Sequence, residues 1–267
     1  MVLLLQCCFD AADIFSNYGG QLPTLPDRLA HGAKVTLDTP MSNEEDLGKS
    51  LDRAAIRAMR RSYGEAGMSE ASFPLDPATA FHSWLRDAAE NSYIIEPNAM
   101  VLSTVTVRGP QSRTVLLKDF TDEGFTFFTN YESRKAKAIA EDNHVSLLFP
   151  WFAMERQVLV NGIAEKVPAH ESDDYFAVRP WGSQIGAWAS AQSSDLADRQ
   201  TLESKYNEFA AKFPEGTSVP RPPHWGGFAV RPTSIEFWQG RQSRLHDRFI
   251  FTKDEATGSW LRQRLYP

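Results

Sequence analysis

The sequence predicts a mainly β protein of the α+β class, an antiparallel barrel with helices at its periphery. From residue 99 onwards, many segments alternate apolar and polar residues with the period of two that is typical of strands. The helical segments are few and do not alternate regularly with these strands, which argues against a parallel sheet. The chain has neither a Gly-x-Gly-x-x-Gly segment nor a P-loop, so the common parallel-sheet nucleotide folds are not indicated.

Length and composition indicate a globular protein with one large domain or two small ones. The 267 residues are 42% hydrophobic and 12% aromatic, which is ample for a core. The net charge of -6 argues against nucleic-acid or membrane partners bound through bulk charge. The two cysteines, Cys7 and Cys8, are adjacent and so rarely pair, which suits a reducing compartment such as the cytoplasm. The histidines lack metal-ligand spacing, and no metal is expected.

The first 50 residues differ from the rest of the chain. They are acidic and poorly periodic, and prolines and glycines interrupt them. Basic residues are too scarce for a mitochondrial targeting peptide. We therefore predict a flexible N-terminal extension over 1–50, or a segment upstream of a true start at Met41, followed by a domain over 51–267.

Two helices are expected before the first strand. Apolar residues recur with helical spacing from Leu51 to Tyr63. Asp76 and Pro77 supply an N-cap and a first-turn proline, so a second helix is predicted over Asp76–Asn91. Its apolar face consists of Phe81, Trp84, Leu85 and Ala88.

The middle of the chain predicts five strands and one short helix. The strands are expected over 99–107, 114–117, 125–130, 145–149 and 157–162. Residues 119–124 have the composition of a hairpin turn. Ser133 can cap a short helix that ends at Ile139.

The last third of the chain combines two helices with four strands. One helix is predicted over 169–178, and Ser194 or Asp195 is expected to cap a longer one. That longer helix carries on one face Leu202, Tyr206, Phe209 and Phe213. After a proline-rich segment, strands are predicted at FAVRP, SIEFW, RFIFT and SWLRQRL.

Three groups of polar residues could bind ligands. Arg113 and Lys118 bracket an apolar strand segment and would face opposite sides of it, although charged strand ends in solvent are the simpler explanation. Arg134 and Lys135 stand in a first helical turn, where a bound anion such as phosphate would relieve their conflict with the helix dipole; a solvated basic turn is the alternative. Segment 179–194 is rich in small, hydroxyl and amide residues, typical of a ligand loop or of an ordinary surface loop.

The segment 235–251 carries the strongest functional signal. In an extended chain, Arg244, His246 and Arg248 project to one side, where they repel one another unless an anion lies between them. Trp238 could stack on an aromatic ring; an exposed charged strand is the alternative. No Ser/His/Asp or Cys/His arrangement is supported, so these residues alone leave the reaction open.

These clusters, in this order, resemble those of the pyridoxine/pyridoxamine 5′-phosphate oxidase family. The resemblance runs from about Arg60 to Pro267 and rests on the motifs RTVLLK, FFTNYESRKAK, RQVLVNG, RPWGSQIGAWASAQSS and IEFWQGRQSRLHDR. It implies a split antiparallel β-barrel that binds FMN. It also implies a homodimer in which both subunits build each of the two flavin sites.

The resemblance implies one residue set for the flavin and another for the substrate. The flavin set is Arg113, Thr114, Val115, Leu116, Phe128, Thr129, Gln157, Gln192, Ser193, Trp238 and Arg248, with Arg134 and Lys135 at the flavin phosphate. The substrate phosphate would be held by Lys118, Tyr175, Arg179 and Ser183. The segment folding over the substrate would be Arg60, Arg61, Ser62 and Tyr63. The residues over the pyridine ring would be Arg244, Leu245 and His246, of which Arg244 and His246 form the catalytic pair.

The implied reaction belongs to vitamin B6 metabolism. Pyridoxamine or pyridoxine 5′-phosphate is oxidised at C4′ to pyridoxal 5′-phosphate, O2 is reduced to H2O2, and the amine substrate also releases ammonia. Two other functions stay open. A split-barrel flavin reductase would not need the substrate-phosphate set, and a non-catalytic carrier would bind pyridoxal phosphate or flavin without turnover.

Overall fold

The computed structural model describes residues 53–59, 62–121, 124–254 and 256–267. The predictions for residues 1–50, for a start at Met41 and for the cysteines therefore lie outside the described residues. The chain divides into two units, and the described part of the first unit is the helix α1, Arg53–Ala58. All the other elements belong to the second unit, Arg60–Pro267.

The described residues of the second unit include nine strands in one antiparallel sheet. They are β1 Ala99–Thr106, β2 Gly109–Leu116, β3 Asp119–Thr121, β4 Gly124–Asn130, β5 His144–Trp151, β6 Arg156–Lys166, β7 Trp225–Gln239, β8 Asp247–Lys253 and β9 Trp260–Leu265. Their order is β2-β1-β5-β6-β7-β4-β3, and β8 joins β7 and β9 joins β8 off this path. The predicted antiparallel architecture is confirmed, and these strands do not close into a continuous ring.

The sheet branches at the 15-residue strand β7. One edge of β7 pairs with β6, while the other pairs with β4 over its first half and with β8 over its second half. The segments FAVRP and SIEFW were predicted as separate strands, and that prediction was wrong. Pro232 cannot donate to a ladder, but a register shift between Asn161 and Gly162 lets the strand continue past it.

The main core lies between the sheet and helix α2, Pro77–Glu90. As predicted, Asp76 caps α2, because its carboxylate accepts the Thr79 N–H at 2.8 Å. Phe81 is fully buried and meets the rings of Phe125 and Phe149 edge-on at 4.9 and 5.0 Å. Burial of each such ring contributes about 1.5–3 kcal/mol, so α2 is firmly attached to the sheet.

Four more helices surround the sheet: α3 Arg134–Glu141, α4 Ala169–Ala177, α5 Trp181–Ala189 and α6 Arg199–Lys212. The predicted cap of α3 is confirmed, since the Ser133 hydroxyl accepts the Ala136 N–H. The cap of α6 is Asp198 rather than Ser194 or Asp195, because the Asp198 carboxylate accepts the Thr201 N–H at 2.7 Å.

Two segments differ from their predicted conformation. Much of segment 179–194, which was expected to be a loop, forms the helix α5. Its Ile185 is buried, and the N–H groups of its two indoles donate hydrogen bonds to neighbouring segments. The helix predicted through Tyr63 ends at Ala58 in the described residues, and Ser62 and Tyr63 are not helical. Within the described ranges, no helix is long and apolar enough to cross a membrane.

Candidate active site

A polar cluster lies where β4 leads into α3. The Lys135 ammonium donates to the Thr129 hydroxyl at 3.1 Å and to Oε1 of Gln192 at 3.0 Å, and the Thr129 hydroxyl donates to the same Gln192 oxygen at 3.1 Å. Arg134 begins the helix and is exposed. We call Thr129, Arg134, Lys135 and Gln192 the α3 cluster. It brings together residues from two of the sequence motifs, FFTNYESRKAK and RPWGSQIGAWASAQSS.

The local fold explains why the α3 cluster is cationic at a helix start. Asn130 ends β4, its side-chain oxygen accepts the Glu132 N–H at 2.7 Å, and its amide donates to the Ser190 carbonyl at 3.4 Å. The first turn of α3 holds no acidic residue. Two basic side chains therefore stand in the first turn of a helix, at the positive end of its dipole, which suits a phosphate.

Phe128, Tyr175 and Trp225 form a second group, which we call the aromatic wall. Phe128 stacks on Tyr175 at 4.1 Å and on Trp225 at 5.4 Å. The guanidinium of Arg179 lies over the Trp225 ring at 4.7 Å. Among the described residues, Nη1 of Arg179 is buried without a hydrogen-bond partner.

The state of Arg179 points to a missing anionic partner. Burial lowers the pKa of Arg179, and the interaction with Tyr175 only partly opposes that effect. A buried, unpaired guanidinium N–H loses its hydrogen bonds to water and gains no hydrogen bond within the protein. An anion bound here would restore both the charge balance and the hydrogen bond.

A third group surrounds Trp238. The His246 ring lies 4.6 Å from Trp238, and Tyr63 meets both rings edge-on at 5.4 and 5.9 Å. Trp238 pairs across the sheet with Gln157 on one side and with Arg248 on the other. We call Tyr63, Trp238 and His246 the Trp238 cluster. It brings together residues of the predicted flavin and substrate sets.

The turn before β8 is not extended, which corrects the prediction that Arg244, His246 and Arg248 project to one side of a strand. Residues Gln242–Arg244 form a 3-10 turn, and Ser243 and Arg244 have φ of 55° and 62°. Each left-handed residue of this kind costs about 1–2 kcal/mol, so the surrounding contacts must enforce the turn. Strict alternation therefore does not apply before β8 begins.

His246 is held as a neutral imidazole with its proton on Nε2. Its Nδ1 accepts the Arg241 N–H at 3.0 Å and so cannot carry the proton. Burial, followed by the charge of Arg244, lowers the pKa of His246 below its usual value. At neutral pH, Nε2 is therefore a hydrogen-bond donor.

An NMR titration is expected to give His246 a pKa below the value of about 6.5 found in an unfolded chain. As the pH falls, the unfolded state then takes up the proton before the folded state does. The free energy of unfolding therefore decreases between the ordinary pKa of histidine and the lowered pKa of His246. At higher pH, His246 has no such effect. Arg244→Gln should raise this pKa towards the ordinary value. A wild-type value at or above that of a model peptide would contradict the assignment.

Arg248 is tied to the carboxylate of Glu236 and to the C-terminal segment. It donates to both oxygens of Glu236 at 2.7 and 3.1 Å and to the Tyr266 carbonyl at 3.0 Å. The hydrogen bonds to Glu236 raise the pKa of Arg248. The guanidinium is therefore fixed in direction before any ligand arrives.

The other predicted site residues are distributed over several elements. Arg113 on β2 donates to the Leu102 carbonyl at 3.1 Å and to the Thr104 hydroxyl at 2.9 Å, and burial lowers its pKa. Lys118 lies between β2 and β3, so the expected alternation with Arg113 does not hold. The remaining members are placed on β2 (Thr114, Val115 and Leu116), on α5 (Ser183), after α5 (Ser193) and in the turn before β8 (Leu245). Arg60 and Arg61 lie outside the described residues.

Within one chain, the described hydrogen bonds and ring contacts do not connect the Trp238 cluster with the α3 cluster or the aromatic wall. Sequence reasoning missed Trp225, Glu236, Arg241 and Asp247. The signal for Glu236 and Asp247 was present, because both are acidic residues inside the motif that carries Trp238 and His246. Among the described residues, no cluster of His, Cys, Asp or Glu could hold a metal ion.

Comparisons with known proteins found two matching family models and several similar proteins. A family model described as pyridoxamine 5′-phosphate oxidase matches residues 87–213, and one described as the pyridoxine 5′-phosphate oxidase C-terminal dimerisation region matches residues 225–267. A protein of Streptomyces avermitilis named pyridoxine/pyridoxamine 5′-phosphate oxidase is 48% identical over 214 residues, which are 79% of this chain and 95% of that protein.

Two solved structures are also similar. PhzG from Burkholderia lata 383, in complex with tetrahydrophenazine-1-carboxylic acid, has a TM-score of 0.70 and 29% identity over 78% of this chain and 100% of that chain. A pyridoxamine 5′-phosphate oxidase-related, FMN binding protein from Nostoc punctiforme PCC 73102 has a TM-score of 0.57 and 15% identity over 75% of this chain and 100% of that chain. The second likeness shows that the fold is shared.

Proposed function

Because this chain belongs to the pyridoxine/pyridoxamine 5′-phosphate oxidase family, we propose that it oxidises pyridoxamine and pyridoxine 5′-phosphate to pyridoxal 5′-phosphate with FMN and O2. The observation that carries the proposal is the buried Nη1 of Arg179 at the aromatic wall, which has no hydrogen-bond partner within the described ranges. A phosphorylated substrate would supply the anion that this guanidinium lacks. A flavin reductase with a nicotinamide donor would have no use for this second anion site.

The residues of the α3 cluster fit the phosphate of FMN. The guanidinium of Arg134 and the ammonium of Lys135 stand at the start of one helix, and the Thr129 hydroxyl and the Gln192 amide contact the ammonium. Such a donor set matches a dianion with several acceptor oxygens. The ring system would then be contacted by the rest of the predicted flavin set, including Arg113, Gln157, Trp238 and Arg248.

When bound, FMN would supply the two-electron redox chemistry that links oxidation at C4′ to the reduction of O2 to H2O2. The chain itself binds and orients the substrate. Arg179, with Lys118, Tyr175 and Ser183, would hold the phosphate and so fix the position of C4′. Nε2 of His246 would donate a hydrogen bond, and Arg244 would add positive charge near the ring. The alcohol loses its hydroxyl proton on oxidation, and the imine formed from the amine is hydrolysed to aldehyde and ammonia.

A homodimer is part of the proposal. The matched dimerisation region, residues 225–267, contains the strands that carry Trp238, His246 and Arg248. A second copy would bring its Trp238 cluster to the α3 cluster of the first, so that one flavin site takes residues from both chains. This also explains why the described contacts of one chain leave the two clusters separate.

The test is to purify the full chain, measure bound flavin and mass in solution, and assay aldehyde, H2O2 and ammonia with both substrates in air. We expect a yellow dimer that forms pyridoxal 5′-phosphate, and ammonia only from the amine. Flavin binding with nicotinamide oxidation but no pyridoxal 5′-phosphate would support a flavin reductase instead. Ligand binding without any turnover would support a carrier, and a monomer that retains FMN would refute the shared site.

A further inference from the structure

The buried carboxylate of Asp247 joins three segments of the second unit. Its Oδ2 accepts the Met68 N–H at 2.9 Å and an N–H of Arg241 at 3.3 Å, and its Oδ1 accepts an N–H of Arg264 at 2.6 Å. Met68 lies in residues 62–73, which we call the N-terminal strap. Asp247 itself begins β8, directly after His246.

Asp247 remains ionised in spite of its burial. Burial opposes ionisation, but the hydrogen bonds from the Met68 N–H, Arg264 and Arg241 outweigh it and hold the pKa of Asp247 below its usual value. An acceptor for three donors is what a carboxylate provides. An amide in the same place would offer one acceptor oxygen and would turn an NH2 group towards other donors.

The contact with Arg241 stabilises the turn that carries His246. The Arg241 side chain reaches Asp247, and its backbone N–H donates to Nδ1 of His246. Both ends of the turn are thereby tied together around Ser243 and Arg244, the residues with left-handed backbone. Such a backbone persists only where its surroundings enforce it.

The contact with Met68 stabilises the strap against the same turn. Tyr63, earlier in the strap, meets the His246 ring edge-on at 5.4 Å. At Gly67, a Cβ would stand 2.9 Å from Nη1 of Arg241 and 3.0 Å from Oδ2 of Asp247, so the strap backbone packs closely against both side chains. The strap and the turn therefore meet directly at the Asp247–Arg241 pair.

We propose that Asp247 is a positioning residue for the oxidase reaction, acting through Arg241 and Met68 to hold His246 and Tyr63 in place at the substrate. This inference rests on the proposed function. Asp247 does not contact the substrate. Its charge holds in place two elements that contact the substrate, the N-terminal strap and the turn that carries His246.

The test is Asp247→Asn in the full-length, flavin-loaded enzyme. We expect KM for pyridoxamine 5′-phosphate to rise about tenfold with kcat changed by less than about threefold, because pre-formed binding geometry is lost rather than chemistry. Hydrogen exchange at the Met68 amide should become about tenfold faster, while flavin content stays the same. Asp247→Glu, which keeps the charge, should recover most of the rise in KM.

Glu70→Gln is the matched control. Glu70 is an exposed carboxylate of the strap that pairs with the same Arg264, and its replacement leaves the contacts of Asp247 with Met68 and Arg241 intact. We expect unchanged KM. If Glu70→Gln raises KM as much as Asp247→Asn, the effect comes through Arg264 and β9, and the proposal is wrong. Unchanged KM and exchange in Asp247→Asn would also overturn it.

Two further outcomes remain informative. If Asp247→Asn does not fold, Arg241→Ala removes the side-chain contact but keeps the N–H that binds His246; a smaller rise in KM supports the proposal, and none overturns it. If the wild-type chain has no oxidase activity, the proposed function fails. The exchange rate at Met68 then still shows whether Asp247 holds the strap, and unchanged exchange overturns that role.

Discussion

Arg179→Met is expected to raise the KM for pyridoxamine 5′-phosphate by about tenfold to a hundredfold, the effect of losing a charge-assisted hydrogen bond of about 1.5–3 kcal/mol. The melting temperature should not fall much, because the variant also removes a buried guanidinium N–H that has no partner among the described residues. Methionine retains the packing against Trp225. Steady-state kinetics and thermal denaturation measure the two effects separately.

Arg231→Met is the matched control for Arg179→Met. Arg231 is exposed and pairs with the exposed Glu165, so its loss should change neither KM nor stability by more than a small amount. A normal KM in Arg179→Met would count against a substrate phosphate at the aromatic wall. Loss of folding in Arg179→Met together with unchanged kinetics of the folded fraction would make Arg179 a structural residue.

Arg248→Ala is expected to weaken FMN binding by about tenfold to a hundredfold, while Arg244→Ala should leave the protein yellow and lower kcat/KM. Arg248 lies in the sheet, fixed by Glu236 and the Tyr266 carbonyl. Arg244 lies in the exposed turn before β8 and has no such partners among the described residues. Equilibrium dialysis against FMN and kinetics with added FMN distinguish the two roles.

Arg248→Ala also leaves the Glu236 carboxylate without its partner, which could disturb the sheet by itself. The double variant Arg248→Met/Glu236→Gln removes both charges and controls for this. If the double variant regains wild-type FMN affinity, Arg248 does not bind the flavin, and the loss in Arg248→Ala comes from the orphaned carboxylate. If Arg244→Ala turns over normally, the substrate assignment in this motif is wrong.

Much of the fold followed from local signals in the sequence. Asp76 with Pro77 and Ser133 mark helix starts that the structure confirms, because capping is decided within four residues of chain. Strands such as β1 and β5 were recognised because one face of each is buried, which imposes a period of two. The cap of α6 was misplaced, since Ser194, Asp195 and Asp198 are all acceptable caps and the choice depends on where the chain comes off α5.

The membership of the candidate site stays a prediction, and its geometry followed only in part from the sequence. The motifs named Arg134, Lys135 and Gln192, and the structure joins Lys135 to Gln192. The same motifs suggested an extended segment around Arg244, but a left-handed turn ties His246 to the Arg241 N–H. Side chains alternate between two faces only in regular strands. A turn that is stabilised by contacts from distant segments produces no periodic pattern in the sequence.

The sequence by itself determined the antiparallel class, most helix starts and strands, and the residue types available for binding anions, because capping, periodicity and composition act over short stretches of chain. Only the tertiary structure decided that β7 is one strand with three partner strands, that Nη1 of Arg179 is buried without a partner in the part of the chain that the structure describes, and that Asp247 joins the strap to the turn. Burial and pairing between residues as far apart as Met68 and Asp247 depend on how the whole chain packs. No short window of sequence contains that information.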